Sequence, residues 1–175
     1  RTRLVSIAQG VPVHVLTSNM AIAPILDLFD DIAPGDCFLN NTPFLGCAHH
    51  ADYSFCTPVF HKNKLMFWVM LRAHQADTGA SMPTVYLPLG KSVYEEGIHW
   101  PCVRVQKKYK DVEDVVRIAT ANIRVPEQFY GDFSACVGAT RVAERRLNTL
   151  IEKYSSETIE AFVDEWIEYG KRRMV

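Results

Sequence analysis

Two histidines and an aspartate, His49, Asp52 and His74, carry the side chains in this 175-residue sequence best suited to hold a divalent metal ion. Two imidazoles and one carboxylate form a borderline-hard donor set that fits zinc, manganese or iron(II) and leaves coordination positions for water or substrate. An ion so held lowers the pKa of a bound water or polarises a carbonyl, which serves hydrolysis and enolate chemistry. With iron(II) the same set also allows oxygenase chemistry. The residues alone equally permit a blander account, in which two polar loop histidines and a turn aspartate make ordinary hydrogen bonds. Three neighbours are candidate catalytic residues: His50 as a substitute ligand or proton carrier, Asp77 as a group that orients an imidazole, and Glu96 as a base beside Gly97. Gly131-Asp132 is a similar carboxylate beside glycine, where a turn is the usual reading.

For His74 to meet the other two, the chain between them must fold back. Residues 54–60 and 64–71 are β-branched and aromatic runs separated by His61-Lys62-Asn63, the pattern of a hairpin with a short polar turn. With the turn centred between Lys62 and Asn63, paired residue numbers sum to about 125, which puts His74 opposite Ala51. His49 then shares the face of His74 diagonally. Strict alternation sends Asp52 to the other face, so the expectation requires the chain to leave strand geometry near residue 52.

Upstream, Val11, Val13 and Val15 alternate as in a strand, and Ile22, Ile25, Leu26 and Phe29 mark a helical face with Pro24 near its first turn. Pro34-Gly35 closes that helix, a short strand follows over 37–39, and 40–46 is a loop by composition. Downstream, helices are expected over 111–123, over 141–154 and from 156 onward; on the last, the stripe of Ile159, Phe162, Val163, Trp166 and Ile167 reads as core or subunit interface. The fold class expected is α+β, strand-rich in its first half and helical in its second. Residues 1–175 are read as a single domain or as a fragment of a larger mixed fold.

Hydrophobic residues make up 48% and charged residues 22%, an ordinary globular balance, and 19 basic against 20 acidic side chains leave a net charge of −1. No field of that size recruits nucleic acid or anionic lipid, so a small molecule or another subunit is the expected partner. Absence of a long apolar run or signal-like start, with five scattered cysteines lacking a C-x-x-C pair, predicts a soluble cytoplasmic protein with reduced thiols. Gly90-Lys91-Ser92 imitates the end of a phosphate-binding loop, but Val85 stands where that loop needs glycine. Lys107-Lys108-Tyr109-Lys110 reads as a solvated face.

In order along the chain come Val11-Pro12-Val13-His14 with Met20; Gly35-Asp36; Asn41-x-Pro43-x-x-Gly46-x-x-His49-x-x-Asp52; Thr57-Pro58-Val59-Phe60; Ala73-His74-Gln75-Ala76-Asp77-x-Gly79; Glu95-Glu96-Gly97; Asn122-x-Arg124-x-Pro126-Glu127; and Gly131-Asp132. In this series the chain resembles the hydantoinase B/oxoprolinase family over nearly its whole length. The resemblance implies a catalytic subunit, or a fragment of one, with one divalent metal, manganese or zinc before iron, on His49, Asp52 and His74. It further implies a hydantoinase A-type partner that binds ATP, hence a hetero-oligomer, and a small-molecule carbonyl substrate. The activity implied is ATP-dependent cleavage of C–N bonds in cyclic amides such as hydantoins, lactams or 5-oxoproline. Carboxylation of a ketone, as in acetophenone carboxylase, is the alternative within the family; a non-catalytic assembly piece is the alternative outside it. The chain departs from the family pattern at Thr42, where aspartate is common, and at Cys47 and Ala80, where glycine is common.

Overall fold

The computed structural model describes residues 2–8, 10–83 and 86–174; Arg1, Gln9, Thr84, Val175 and the Val85 position invoked for the phosphate loop lie outside the described residues. Helix α1 spans Pro12–Thr17 and α2 spans Ala23–Leu28. The strand expected over 11–15 is therefore a helix. Pro12 occupies its first turn, where a missing N–H is harmless and the fixed φ suits a helix. Val11 and Val13 are both exposed, so their alternation serves no buried face. In α2, Pro24 falls in the first turn as expected, with Ile22 and Ile25 buried.

Five strands follow: β1 (Cys37–Asn40), β2 (Asp52–His61), β3 (Lys64–His74), β4 (Val103–Lys107) and β5 (Lys110–Asp111). They form one antiparallel sheet in the order β3-β2-β1-β4-β5. The basic run at 107–110, read as a solvated face, is the hairpin between β4 and β5, with Lys108 and Tyr109 at positive φ. Helices α3 (Glu113–Asn122), α4 (Pro126–Tyr154) and α5 (Ser156–Arg173) complete the described chain, which confirms the α+β class. Helix α4 starts at Pro126 rather than 141, because its buried face of Phe129, Phe133 and Val137 carries it through the exposed Gly131 and Gly138, which weaken a helix without breaking it. Asp132 accordingly lies on a helix and not in a turn. No described helix is long and apolar enough to cross a membrane.

The pleat of the hairpin sorts its residues into two faces. Tyr53 and Phe55 of β2 with Leu71 and Ala73 of β3 pack against Phe129, Phe133 and Val137 of α4, and the Thr57 hydroxyl donates to Thr140 Oγ1 at 2.8 Å. Each large apolar side chain buried there contributes roughly 1.5–3 kcal/mol. On the other face Cys56, Trp68 and Met70 pack with Ile22 and Ile25. Asp52, Ser54, Arg72 and His74 belong to that second face by alternation, at the end of the hairpin away from its turn.

Candidate metal centre

Lys62 and Asn63 have φ of 46° and 64°, the left-handed pair of a two-residue hairpin turn, so His61 pairs with Lys64 and Phe60 with Leu65. The register then shifts between Val59 and Phe60, and from Val59↔Phe67 onward it runs to Asp52↔His74. Met66 is the extra residue of a bulge. The expected pairing of His74 with Ala51 is thus wrong by one residue, and that one residue decides the face. Asp52 stands directly across from His74, on the same side, with no departure from strand geometry.

The Asp52 carboxylate, only 2% exposed, is the centre of the arrangement. Its Oδ1 lies 3.0 Å from His74 Nδ1, and its Oδ2 lies 3.0 Å from His49 Nε2 and 3.5 Å from His14 Nε2. One ligand atom from each of His49, Asp52 and His74 falls within 4.8 Å of the others. Oδ2 is buried and, although two imidazole nitrogens flank it, has no hydrogen bond of acceptable geometry. A buried carboxylate oxygen faced off-axis by ring nitrogens fits a shared cation better than a hydrogen-bond network. The His49 and His74 rings are 4.9 Å apart, and Tyr86, 62% exposed, stacks on His49 at 5.2 Å and lies 5.6 Å from His74.

Burial lowers the His49 pKa, with the nearby His74 and His14 acting in the same direction and Asp52 opposing them. The ring is therefore neutral at neutral pH, as ligation requires. The Ala51 amide donates to His49 Nδ1 at 3.3 Å, which leaves the ring proton on Nε2. Ligation at Nε2 moves that proton and gives up this long bond, at a cost of about 1 kcal/mol.

The remaining candidates are placed differently. His50 is 1% exposed and packs its ring 4.2 Å from His99; burial first, then His99, push its pKa down to about 4. Asp77 accepts from the Gly79 amide at 2.9 Å and from Arg124 N and Nη1 at 2.9 and 2.8 Å. Burial works against ionisation of Asp77, but these donors hold its pKa below the ordinary value. Glu96 ends a 3₁₀ turn over Val93–Glu96, and its carbonyl accepts from Thr78 Oγ1 at 2.7 Å. The structure thus gathers His49, Asp52 and His74, adds His14, and uses Asp77 and the Glu96 backbone to tie loops together. His14 and Tyr86 were missed. His14 was legible only as part of the quoted Val11-Pro12-Val13-His14 segment, because a strand reading hid its direction.

Asn41 fixes the loop that delivers His49. Its Oδ1 accepts from Trp100 N at 2.7 Å, and its Nδ2 donates to the carbonyls of His50 and Ile98, both at 2.9 Å. Asn41→Ala strands three backbone groups, two of them buried and one partly so, and is expected to cost about 3 kcal/mol. A lowered urea midpoint with unchanged slope reads that loss; an unchanged midpoint would mean that the loop is held by other contacts.

The family model for hydantoinase B/oxoprolinase matches residues 1–175. Caprolactamase subunit beta from Pseudomonas jessenii is 32% identical over 167 residues, covering 95% of this chain and 29% of that protein. The crystal structure of the ATP-dependent caprolactamase from the same organism superposes with a TM-score of 0.88 over 93% of this chain and 28% of the other, at 32% identity. The delta subunit of acetophenone carboxylase from Aromatoleum aromaticum is 32% identical over 139 residues, covering 78% of this chain and 20% of that subunit. The chain spans less than a third of the length of these curated relatives.

Proposed function

The chain belongs to the hydantoinase B/oxoprolinase family, and on that premise we propose that it forms the metal-holding part of an ATP-dependent amidohydrolase subunit that cleaves the C–N bond of a cyclic amide. The observation that carries this reading is the buried Asp52 carboxylate between His49 and His74, with one oxygen lacking any hydrogen bond. Manganese or zinc is the ion the donor set favours, with iron third. When bound, the ion supplies Lewis-acid polarisation of a carbonyl and a lower pKa for water. Asp52 neutralises part of its charge, and His49 and His74 fix its position on rigid strand and loop backbone. His50, held neutral in its buried place beside His99 with its pKa down at about 4, stays a neutral group and is not the proton carrier at neutral pH. Asp77 and Glu96 act through the loops they tie, with Asp77 carried by Arg124.

The relatives support the setting: an ATP-dependent caprolactamase, and subunits designated beta and delta. A hydantoinase A-type partner that binds ATP completes the proposal, which makes the working enzyme a hetero-oligomer. Five buried, unpaired cysteines support a reducing, cytoplasmic setting. Ketone carboxylation is the second reading, and equal 32% identity to caprolactamase subunit beta and to the acetophenone carboxylase delta subunit is what favours keeping it.

The test supplies the complete protein, with its natural partners, metal and ATP, with a hydantoin, a lactam or 5-oxoproline. Ring opening that His74→Ala abolishes supports hydrolysis. Incorporation of labelled bicarbonate into a ketone replaces it with the second reading. Turnover of neither class, or full turnover in the His74→Ala variant, overturns the proposal.

A further inference from the structure

His14 touches the site without belonging to the triad of mutually close ligand atoms. Helix α1 lies over the second face of the hairpin, where Arg72 of β3 reaches back toward it. The Arg72 Nη1 lies 3.4 Å from His14 Nδ1 and donates to Thr17 Oγ1 at 2.7 Å, and its Nε donates to Ser54 Oγ at 2.8 Å. Ser54 is the residue paired with Arg72 across the hairpin, two positions from Asp52. Arg72 is thus braced by both the helix and the opposite strand, and its guanidinium cannot drift far from the ring.

A guanidinium has donors and no acceptor. The His14 nitrogen that faces it must therefore offer a lone pair, and in the neutral ring the proton then resides on Nε2. That is the nitrogen 3.5 Å from Asp52 Oδ2. His49 differs, because one long amide contact sets its tautomer, whereas a braced cation sets that of His14. With Arg72, braced on Thr17, holding its proton on Nε2, His14 acts as a donor to the ligand Asp52. Metal sites commonly fix a ligating group through such an outer partner.

We propose that His14 is a positioning residue of the metal site, held in one tautomer by Arg72 so that its Nε2–H donates to Asp52 Oδ2 and aims the carboxylate at the ion. The inference rests on the metal reading given above. It adds α1, an element well removed in sequence from β2 and β3, to the machinery of the site.

The experiment uses the complete protein with its natural subunits, stripped of metal by a chelator and titrated with Zn²⁺ against a chromophoric competitor. The same preparations are loaded with Co²⁺ for visible absorption. His14→Gln and His14→Met are compared, because the two side chains are close in size and only glutamine can donate to Asp52; circular dichroism confirms that both fold. The expected result is a roughly 10- to 100-fold weaker Zn²⁺ affinity and altered Co²⁺ bands for His14→Met, with most of the affinity and the bands recovered in His14→Gln. Wild-type affinity in His14→Met, or equal losses in both variants, overturns the positioning role while the metal site stands. Failure of the wild-type protein to bind Zn²⁺ overturns the metal reading and this role together, and His74→Ala, which loses Zn²⁺ under the metal reading alone, tells the two failures apart.

Discussion

Asp52→Asn is expected to leave the fold intact and to abolish metal-dependent stabilisation. The carboxylate contacts three imidazoles, from β3, from the loop before β2 and from α1, and is all but inaccessible to water. An asparagine keeps the shape but removes the negative charge and turns two N–H groups toward ring nitrogens or toward the ion. Without an ion, the neutral amide is no worse buried than a carboxylate with an unsatisfied oxygen. With one, the site loses the single carboxylate that the described residues bring to it. A ligand that binds only the folded state stabilises it by about 2.7 kcal/mol at a hundred times its Kd, so wild-type protein should melt at a higher temperature when Mn²⁺ or Zn²⁺ is added. The Asn variant should show no such rise. Its turnover should fall by more than the roughly 10- to 100-fold that loss of an outer hydrogen-bond partner costs a metal site. An equal metal-induced rise in the variant would show that Asp52 is a structural acid in a histidine cluster.

Gly97→Ala is expected to be the most destabilising single change outside the apolar core. Gly97 has φ of 104° and ψ of −151°, a region open essentially to glycine alone. A Cβ there would lie 2.1 Å from the Thr78 carbonyl oxygen and 2.6 Å from its carbon. That carbonyl cannot step aside, since it accepts from Ile98 N at 2.8 Å while the Thr78 hydroxyl donates to the Glu96 carbonyl at 2.7 Å. Backbone strain and the forced displacement together cost about 4 kcal/mol. The damage reaches the site through Trp100 and Ile98, whose backbone groups Asn41 holds together with the carbonyl of His50. A variant with the wild-type urea midpoint would mean that the 78–98 contact is not formed in solution. In Glu95-Glu96-Gly97 the carboxylates suggest chemistry in the sequence, yet the glycine is what the backbone there requires.

How much of this was visible in the sequence depended on whether a residue's own chemistry or its neighbours' shape decided the outcome. The hairpin and the three candidate ligands were legible, because alternating β-branched and aromatic runs around Lys62-Asn63 admit little else. Its register was not. The bulge at Met66, opposite the step from Val59 to Phe60, lies in an unbroken run from Lys64 to Phe67 that carries no glycine or proline to mark it, and a shift of one residue puts Asp52 on the face of His74. The β4–β5 turn was hidden for a related reason, since Lys108 and Tyr109 adopt positive φ without being glycine or asparagine. Helix α4 looks short in the sequence because Gly131 resembles a breaker, although an exposed helical glycine merely weakens a helix that its packing face secures. His14 is hard to see in the sequence because Pro12 between valines reads as a strand position, although its ring favours the first turn of a helix. Family resemblance, carried by the order of short motifs, supplied what periodicity could not.

Elemental analysis of the purified protein in its native complex, beside the His74→Ala variant, tests the central claim most directly. About one equivalent of manganese, zinc or iron per chain, lost in the variant, is the result predicted from the donor set. Absence of metal from both proteins, or an equal content in both, would contradict it and return His49, Asp52 and His74 to the role of a hydrogen-bonded cluster at the end of a hairpin.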